Sequence, residues 1–190
     1  MNAFNPEIIL YLLFCWVAGS VLWARVLGRM LGADPAGSGS GNPGARNAGR
    51  LFGAPAFLAV FAGDALKGVA AVVSGRYLGY PEWLVAAGGA LAVFGHVFPL
   101  FRGKGGKGVS AFIGAALAFS PGSLIGFAVG TAAGLLPLRS ATLAMPGGFA
   151  ACTAALWLSG VLSVSWPLVM AGGLVLFRHK PDFHEALRRH

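Results

Sequence analysis

Between positions 37 and 50 the chain reads Gly37-Ser38-Gly39-Ser40-Gly41-Asn42-Pro43-Gly44-Ala45-Arg46-Asn47-Ala48-Gly49-Arg50, a composition suited to holding an anion. Glycine and asparagine tolerate positive φ, so successive backbone N–H groups can turn inward around a phosphate-sized concavity. Ser40 and Asn42 add side-chain donors. Arg46 and Arg50 add charge at the start of the following apolar run, where a helix N-terminus also favours an anion. A flexible linker is the plain alternative, but a linker needs neither Asn-Pro nor two arginines at helical spacing.

A second polar stretch runs Gly95-His96-Val97-Phe98-Pro99-Leu100-Phe101-Arg102-Gly103-Lys104-Gly105-Gly106-Lys107-Gly108. It is not a nucleotide P-loop: that motif requires a glycine separated by four residues from its Gly-Lys, and Phe101 stands there. What remains is Lys104 and Lys107 among four glycines, able to reach phosphate oxygens. A charge cluster that only orients a membrane protein requires the lysines but not the glycines. His96 is expected to pack and cap at a helix end. A third element, the tail Phe177-Arg178-His179-Lys180-Pro181-Asp182, sets His179 between two cations as a candidate substrate ligand.

These loops need elements to hold them. Apolar runs occupy about 7–30, 54–75, 82–101, 108–120, 122–138, 142–159 and 161–177, and a bilayer crossing takes ~20 apolar residues. The expectation is an all-α integral membrane protein of about seven transmembrane helices, with six as the alternative. Residues 7–24 follow no basic region and precede no clear cleavage site, so they read as a retained span. With the N-terminus extracytoplasmic and the C-terminus cytoplasmic, twelve of the fourteen Lys and Arg residues fall on the cytoplasmic side, as the positive-inside rule requires. Arg76 falls outside, and Lys67 lies within the second span. Asp64 and Lys67, three apart on one helical face, are expected to pair toward the protein interior and support the site.

Composition agrees. Of 190 residues 56% are apolar and 11% charged, with mean hydropathy +0.73, against ~25% charged in a soluble domain. The net charge of +8 belongs to the membrane-side loops, and no nucleic-acid module is present. Cys15 and Cys152 sit in apolar runs as small hydrophobes. No metal and no cofactor is implied, since the carboxylates are scattered. Residues 1–190 read as a single polytopic domain.

Gly-Ser-Gly-Asn-x-Gly-Ala-x-Asn at 39–47, Gly-His-x-Phe-Pro at 95–99 with Lys-Gly-Gly-Lys-Gly at 104–108, and Arg-His-Lys at 178–180 resemble, in order, the three signature loops of one family. It is the bacterial acyl-phosphate:glycerol-3-phosphate acyltransferases (PlsY), and the resemblance extends to Gly19-Ser20, Asp64-x-x-Lys67-Gly68 and the seven-span plan. It implies transfer of a fatty acyl group from acyl phosphate to the 1-hydroxyl of sn-glycerol 3-phosphate, giving lysophosphatidic acid and phosphate at the bacterial inner membrane. Lys107 and His179 are then the catalytic candidates. Ser40, Gly41, Asn42, Gly44, Arg46, Asn47, Arg50, Lys104, Gly105, Gly106 and Asp182 are the substrate-binding candidates, with loop glycines offering N–H groups to the acyl phosphate.

The chain departs from the family pattern in places. Arg46 stands where Thr is usual, and the second loop is one residue short before Lys104. Asp182 replaces Asn and Glu185 replaces Arg. Arg139-Ser140-Ala141-Thr142 matches a hydroxyl-bearing turn only partly, since Met145 occupies a second Ser position. An acid at 182 would repel phosphate unless paired.

The implied mechanism is direct attack. The acyl chain enters sideways from lipid, glycerol 3-phosphate is held by Lys104, Lys107 and Arg46, and preorganised donors meet the developing charge. A covalent Ser40 intermediate would need an adjacent base. His179 or a substrate phosphate oxygen could take the proton. The alternatives are a transporter of a phosphorylated anion, which would carry polar residues along several spans, and a binder without catalysis.

Overall fold

The computed structural model describes residues 5–100 and 103–188, and every regular element among them is a helix. In chain order these are α1 (Pro6–Ser20), α2 (Trp23–Leu31), α3 (Ala45–Phe52), α4 (Ala54–Tyr77), α5 (Glu82–Val97), α6 (Val109–Phe119), α7 (Pro121–Leu138), α8 (Ala141–Leu158), α9 (Leu162–Arg178) and α10 (Lys180–Arg188). Four helical stretches are long and apolar enough to cross a membrane: Pro6–Leu31, Ala54–Tyr77, Pro121–Leu138 and Ala141–Leu158. A fifth arises if α9 and α10, bent by 48° at His179, are taken together, and α5 and α6 are shorter apolar helices. Large apolar side chains such as Leu10, Leu58, Leu66, Ile125, Val129 and Leu136 are exposed, as suits a surface solvated by hydrocarbon.

Most apolar runs became helices within two residues of the expected ends, but the segments near the loops differ. The first run is not one helix. It breaks at Val21 and Leu22, both with extended backbone, between α1 and α2. Arg46 and Arg50 do not open the second span; they ride on the separate helix α3, which Gly53 (φ +87°) and Pro55 divide from α4. The tail is helical too, because Pro181 sits in the first turn of α10, where its missing N–H costs nothing. Phe101, Arg102 and Arg189 lie outside the described residues.

The core lies among α4, α5, α6, α8 and α9, where Val72, Val85, Val93, Ala115, Leu168 and Val175 are buried. Phe112, Phe127 and Phe149 meet with ring centroids 4.8–6.2 Å apart and bind α6, α7 and α8 together. At the end of the bundle away from the loops, Arg76 makes bonds of 3.1 and 2.9 Å to Glu82 and donates to Ala118 O and Phe119 O at 2.7 and 2.8 Å. Those carbonyls end α6, and a cation satisfies them while matching the helix dipole. Arg76 therefore has a structural use.

Candidate active site

The first loop is organised by Asn47. This residue is 1% exposed; its Oδ1 accepts Ser40 N–H at 2.8 Å, and its Nδ2 donates to Pro35 O and Ser38 O at 2.8 and 2.9 Å. Gly39 makes this possible: its φ is +60°, and a Cβ there would lie 2.4 Å from Asn47 Oδ1. Asn47 therefore shapes the loop, and both of its donors are occupied. Several loop amides are also taken, Gly41 N–H by Ser38 O and Gly44 N–H by Asn42 O. The side chains of Ser40, Asn42, Arg46 and Arg50 belong to residues that line the cavity, and at the start of α3 the Ala45 and Arg46 N–H groups precede the first bonds to Gly44 O.

The second loop lies between α5 and α6. Gly105 and Gly106 pack behind it on the end of α5, and Gly106 N–H donates to His96 O at 3.0 Å, so that amide is not offered to a phosphate. Lys104 projects the other way, and a methyl on Gly41 would sit 3.4 Å from its Nζ, which brings the first two loops together. Arg25 of α2 donates from Nη2 to Lys104 O at 3.1 Å. His96 is 2% exposed and its Nδ1 lies 2.8 Å from Lys67 Nζ and 3.4 Å from Asp64 Oδ1. Asp64 and Lys67 pair at 3.0 Å, and Asp64 and His96 both line the cavity described below.

The third element supplies His179 and Asp182 from the α9–α10 bend. His179 is buried, and its Nδ1 lies 2.8 Å from Val175 O. A carbonyl can only accept, so Nδ1 carries the hydrogen and Nε2 of the neutral ring is an acceptor. Burial pushes the His179 pKa below its ordinary value. The Lys107 and Arg46 charges act in the same direction, while the Val175 bond and Asp182 oppose it. Asp182 is ion-paired with Lys107.

All three elements open on one cavity of about 1250 Å³. Ser40, Asn42, Gly44, Arg46, Asn47, Arg50, Lys104, Lys107, His179 and Asp182 line it, whereas Gly41, Gly105 and Gly106 stand outside its wall. Arg46 Nη1 reaches across the cavity toward Thr142 Oγ1 at 3.4 Å, joining α3 to α8. Sequence reading missed the apolar part of the lining: Phe57 and Phe61 from α4, Phe127 from α7 and Met145 from α8. The signal was available, since 57, 61 and 64 fall on one helical face. Arg178 also lines the cavity. Among the described residues no group of three His, Cys, Asp or Glu side chains could hold a metal ion.

A family model described as glycerol-3-phosphate acyltransferase matches residues 9–189. A glycerol-3-phosphate acyltransferase of Neisseria meningitidis is 36% identical over 190 residues, covering 91% of this chain and 90% of that one. Its counterpart from Rubrobacter xylanophilus is 36% identical, covering 95% and 92%. The glycerol-3-phosphate acyltransferase 1 of Bacillus cereus is 43% identical over 117 residues, a match spanning 64% of the relative's length. Two crystal structures of PlsY (YgiH), an integral membrane glycerol 3-phosphate acyltransferase, superpose with TM-scores of 0.86 and 0.85 at 29% identity. One is a glycerol 3-phosphate form and one a lysophosphatidic acid form; each match covers 96% of this chain and 92% of the other.

Proposed function

The chain belongs to the glycerol-3-phosphate acyltransferase family, and on that premise we propose that it transfers a fatty acyl group from acyl phosphate to the 1-hydroxyl of sn-glycerol 3-phosphate. The products are lysophosphatidic acid and inorganic phosphate. One observation carries the reading: a single cavity joins a cationic wall to an aromatic one. A phosphorylated polar substrate and a lipid-chain donor need both.

In this reading the acyl chain lies against Phe57, Phe61, Phe127 and Met145 and enters from lipid between spans. Its phosphate meets Ser40, Asn42 and Arg50, with Asn47 holding that loop in shape. Lys104, Lys107 and Arg46 hold glycerol 3-phosphate. As the hydroxyl attacks the acyl carbon, negative charge grows on the carbonyl oxygen and then on the departing phosphate. Cations fixed beforehand in a site partly shielded from water stabilise that charge without reorganising, and fixing two reactants side by side removes much of the entropic barrier. The hydroxyl proton goes to His179 Nε2 or to a phosphate oxygen. Acyl phosphate is already activated, so no covalent enzyme intermediate is required.

Residues 1–190 act as one domain with seven spans in the bacterial inner membrane: α1 with α2, then α4, α5, α6, α7, α8 and α9. Helix α6 has 11 residues and is about 16 Å long at ~1.5 Å per residue, too short to span alone. The second loop then dips into the membrane, which is tolerated because it lines a cavity and rests on protein. The cationic ends of the spans face the cytoplasm, leaving the N-terminus outside. The exposed Tyr77, Trp83, Trp157 and Trp166 belong to the far ends, where interfacial aromatics gather. The transporter alternative fares worse, since Asp64 and Lys67, the charged pair in the middle of α4, are bound to each other. The test is product formation by the purified protein from palmitoyl phosphate, with acyl-CoA and acyl carrier protein as rival donors.

A further inference from the structure

Lys67 is bonded to more than its ion-pair partner. Its Nζ lies 2.8 Å from Gly19 O, 2.8 Å from Val21 O and 2.8 Å from His96 Nδ1, besides Asp64 at 3.0 Å. His96 Nδ1 also lies 3.4 Å from Asp64 Oδ1, so the ring is held against both members of the pair. The Gly19 and Val21 carbonyls are those left open where α1 ends, and at membrane depth an open carbonyl is costly. Lys67 therefore caps the break that sets the start of α2, and it does so from α4.

Both supports of the second loop lead back to this ammonium. On one side, α2 carries Arg25 in its first turn, and Arg25 holds Lys104 O. On the other, His96 accepts Gly106 N–H through its carbonyl, and its ring fills the space beside Gly106, where a Cβ would lie 1.9 Å from Nε2. Ser20 Oγ, at the end of α1, also accepts Leu100 N–H at 3.0 Å.

We propose that Lys67 is a positioning residue: by clamping the α1–α2 break to His96 it fixes the loop that places Lys104 and Lys107 in the cavity. An ion pair that only neutralised Asp64 would need none of the other three contacts. The kinetic consequence rests on the acyltransferase reading; the mechanical one does not.

The test uses the double substitution Asp64→Leu with Lys67→Met in the full chain. It removes both charges together, and replacing a buried pair by apolar side chains is often neutral for stability. Hydrogen exchange is read at residues 103–108 beside α4 and α5, with KM and kcat for glycerol 3-phosphate. The clamp predicts exchange at Gly106 faster by about tenfold or more with the helices still protected. It also predicts KM raised on the order of tenfold, with a smaller fall in kcat, as misplacement by about an ångström produces. Loop exchange and KM equal to the parent's would overturn it, as would exchange rising equally through α4 and α5. Arg25→Ala, at a partly exposed side chain, removes one support only. Its loop must also exchange faster, and a loop that does not overturns the proposal even if the double variant fails to fold. If the parent forms no lysophosphatidic acid, the functional reading falls while the exchange data still decide the clamp.

Discussion

Lys107 and Asp182 form an ion pair that joins the second loop to the first turn of α10. The side chains are 25% and 30% exposed, and a pair so open to water contributes on the order of 1 kcal/mol or less. A phosphate dianion, with two charges and several acceptor oxygens, can take Lys107 from a partner held that weakly.

Asp182→Asn should accordingly keep kcat/KM within about fivefold of the parent, with KM for glycerol 3-phosphate equal or lower. Lys107→Ala should lose on the order of a hundredfold, as removal of one preorganised charge-stabilising group does. Steady-state kinetics on both variants decides this. An Asp182→Asn enzyme as dead as Lys107→Ala would show that the carboxylate takes part in the chemistry.

Asn47→Ala removes three hydrogen bonds from a buried position and leaves Pro35 O and Ser38 O without their donor. Each group left unsatisfied costs ~1–3 kcal/mol. The melting temperature in detergent should fall by several degrees along with activity. Ser40→Ala, at an exposed side chain, should lower activity alone. Equal melting temperatures for the two variants would contradict the organising role of Asn47.

Because burial depresses the His179 pKa, the ring is neutral at pH 7 and Nε2 accepts. Activity that uses this lone pair is complete above the ordinary histidine range and falls as pH drops through a value below ~6.5. Stability follows the same sign: in that window the unfolded chain binds more protons than the folded one, so folding weakens as pH falls. The acid limb of kcat/KM against pH, compared between parent and His179→Gln, measures the effect. Ionisation of glycerol 3-phosphate appears in both profiles, and only the histidine limb should vanish.

Phe61→Ala should raise KM for palmitoyl phosphate severalfold and leave KM for glycerol 3-phosphate unchanged, since Phe61 belongs to the apolar wall. Burying a Phe side chain is worth ~1.5–3 kcal/mol, so the effect should shrink with donors of shorter chain. Equal changes in both KM values would place the acyl chain elsewhere.

Much of this was legible because membrane solvent imposes simple rules. Seven apolar runs gave helical segments, and glycine–cation clusters marked the ends that meet in one cavity. The α1–α2 break was not legible: residues 8–24 carry no charge and no proline, and the group that caps the break, Lys67, comes from 46 and 48 positions away. Helix α3 was readable in principle from Gly53 and Pro55, and α10 from Pro181, but loop composition outweighed those signals. The loop amides misled most. Glycines suggested donors turned toward an anion, yet Asn47, Ser38 and His96 occupy several of those groups through contacts that no local pattern announces.

The most direct measurement of the central claim is conversion of palmitoyl phosphate and glycerol 3-phosphate by the purified protein in a lipid phase, beside Lys107→Ala. The account predicts lysophosphatidic acid and inorganic phosphate in equal amounts from the parent, and almost none from the variant. No product from the parent with acyl phosphate, acyl-CoA or acyl carrier protein as donor would contradict it.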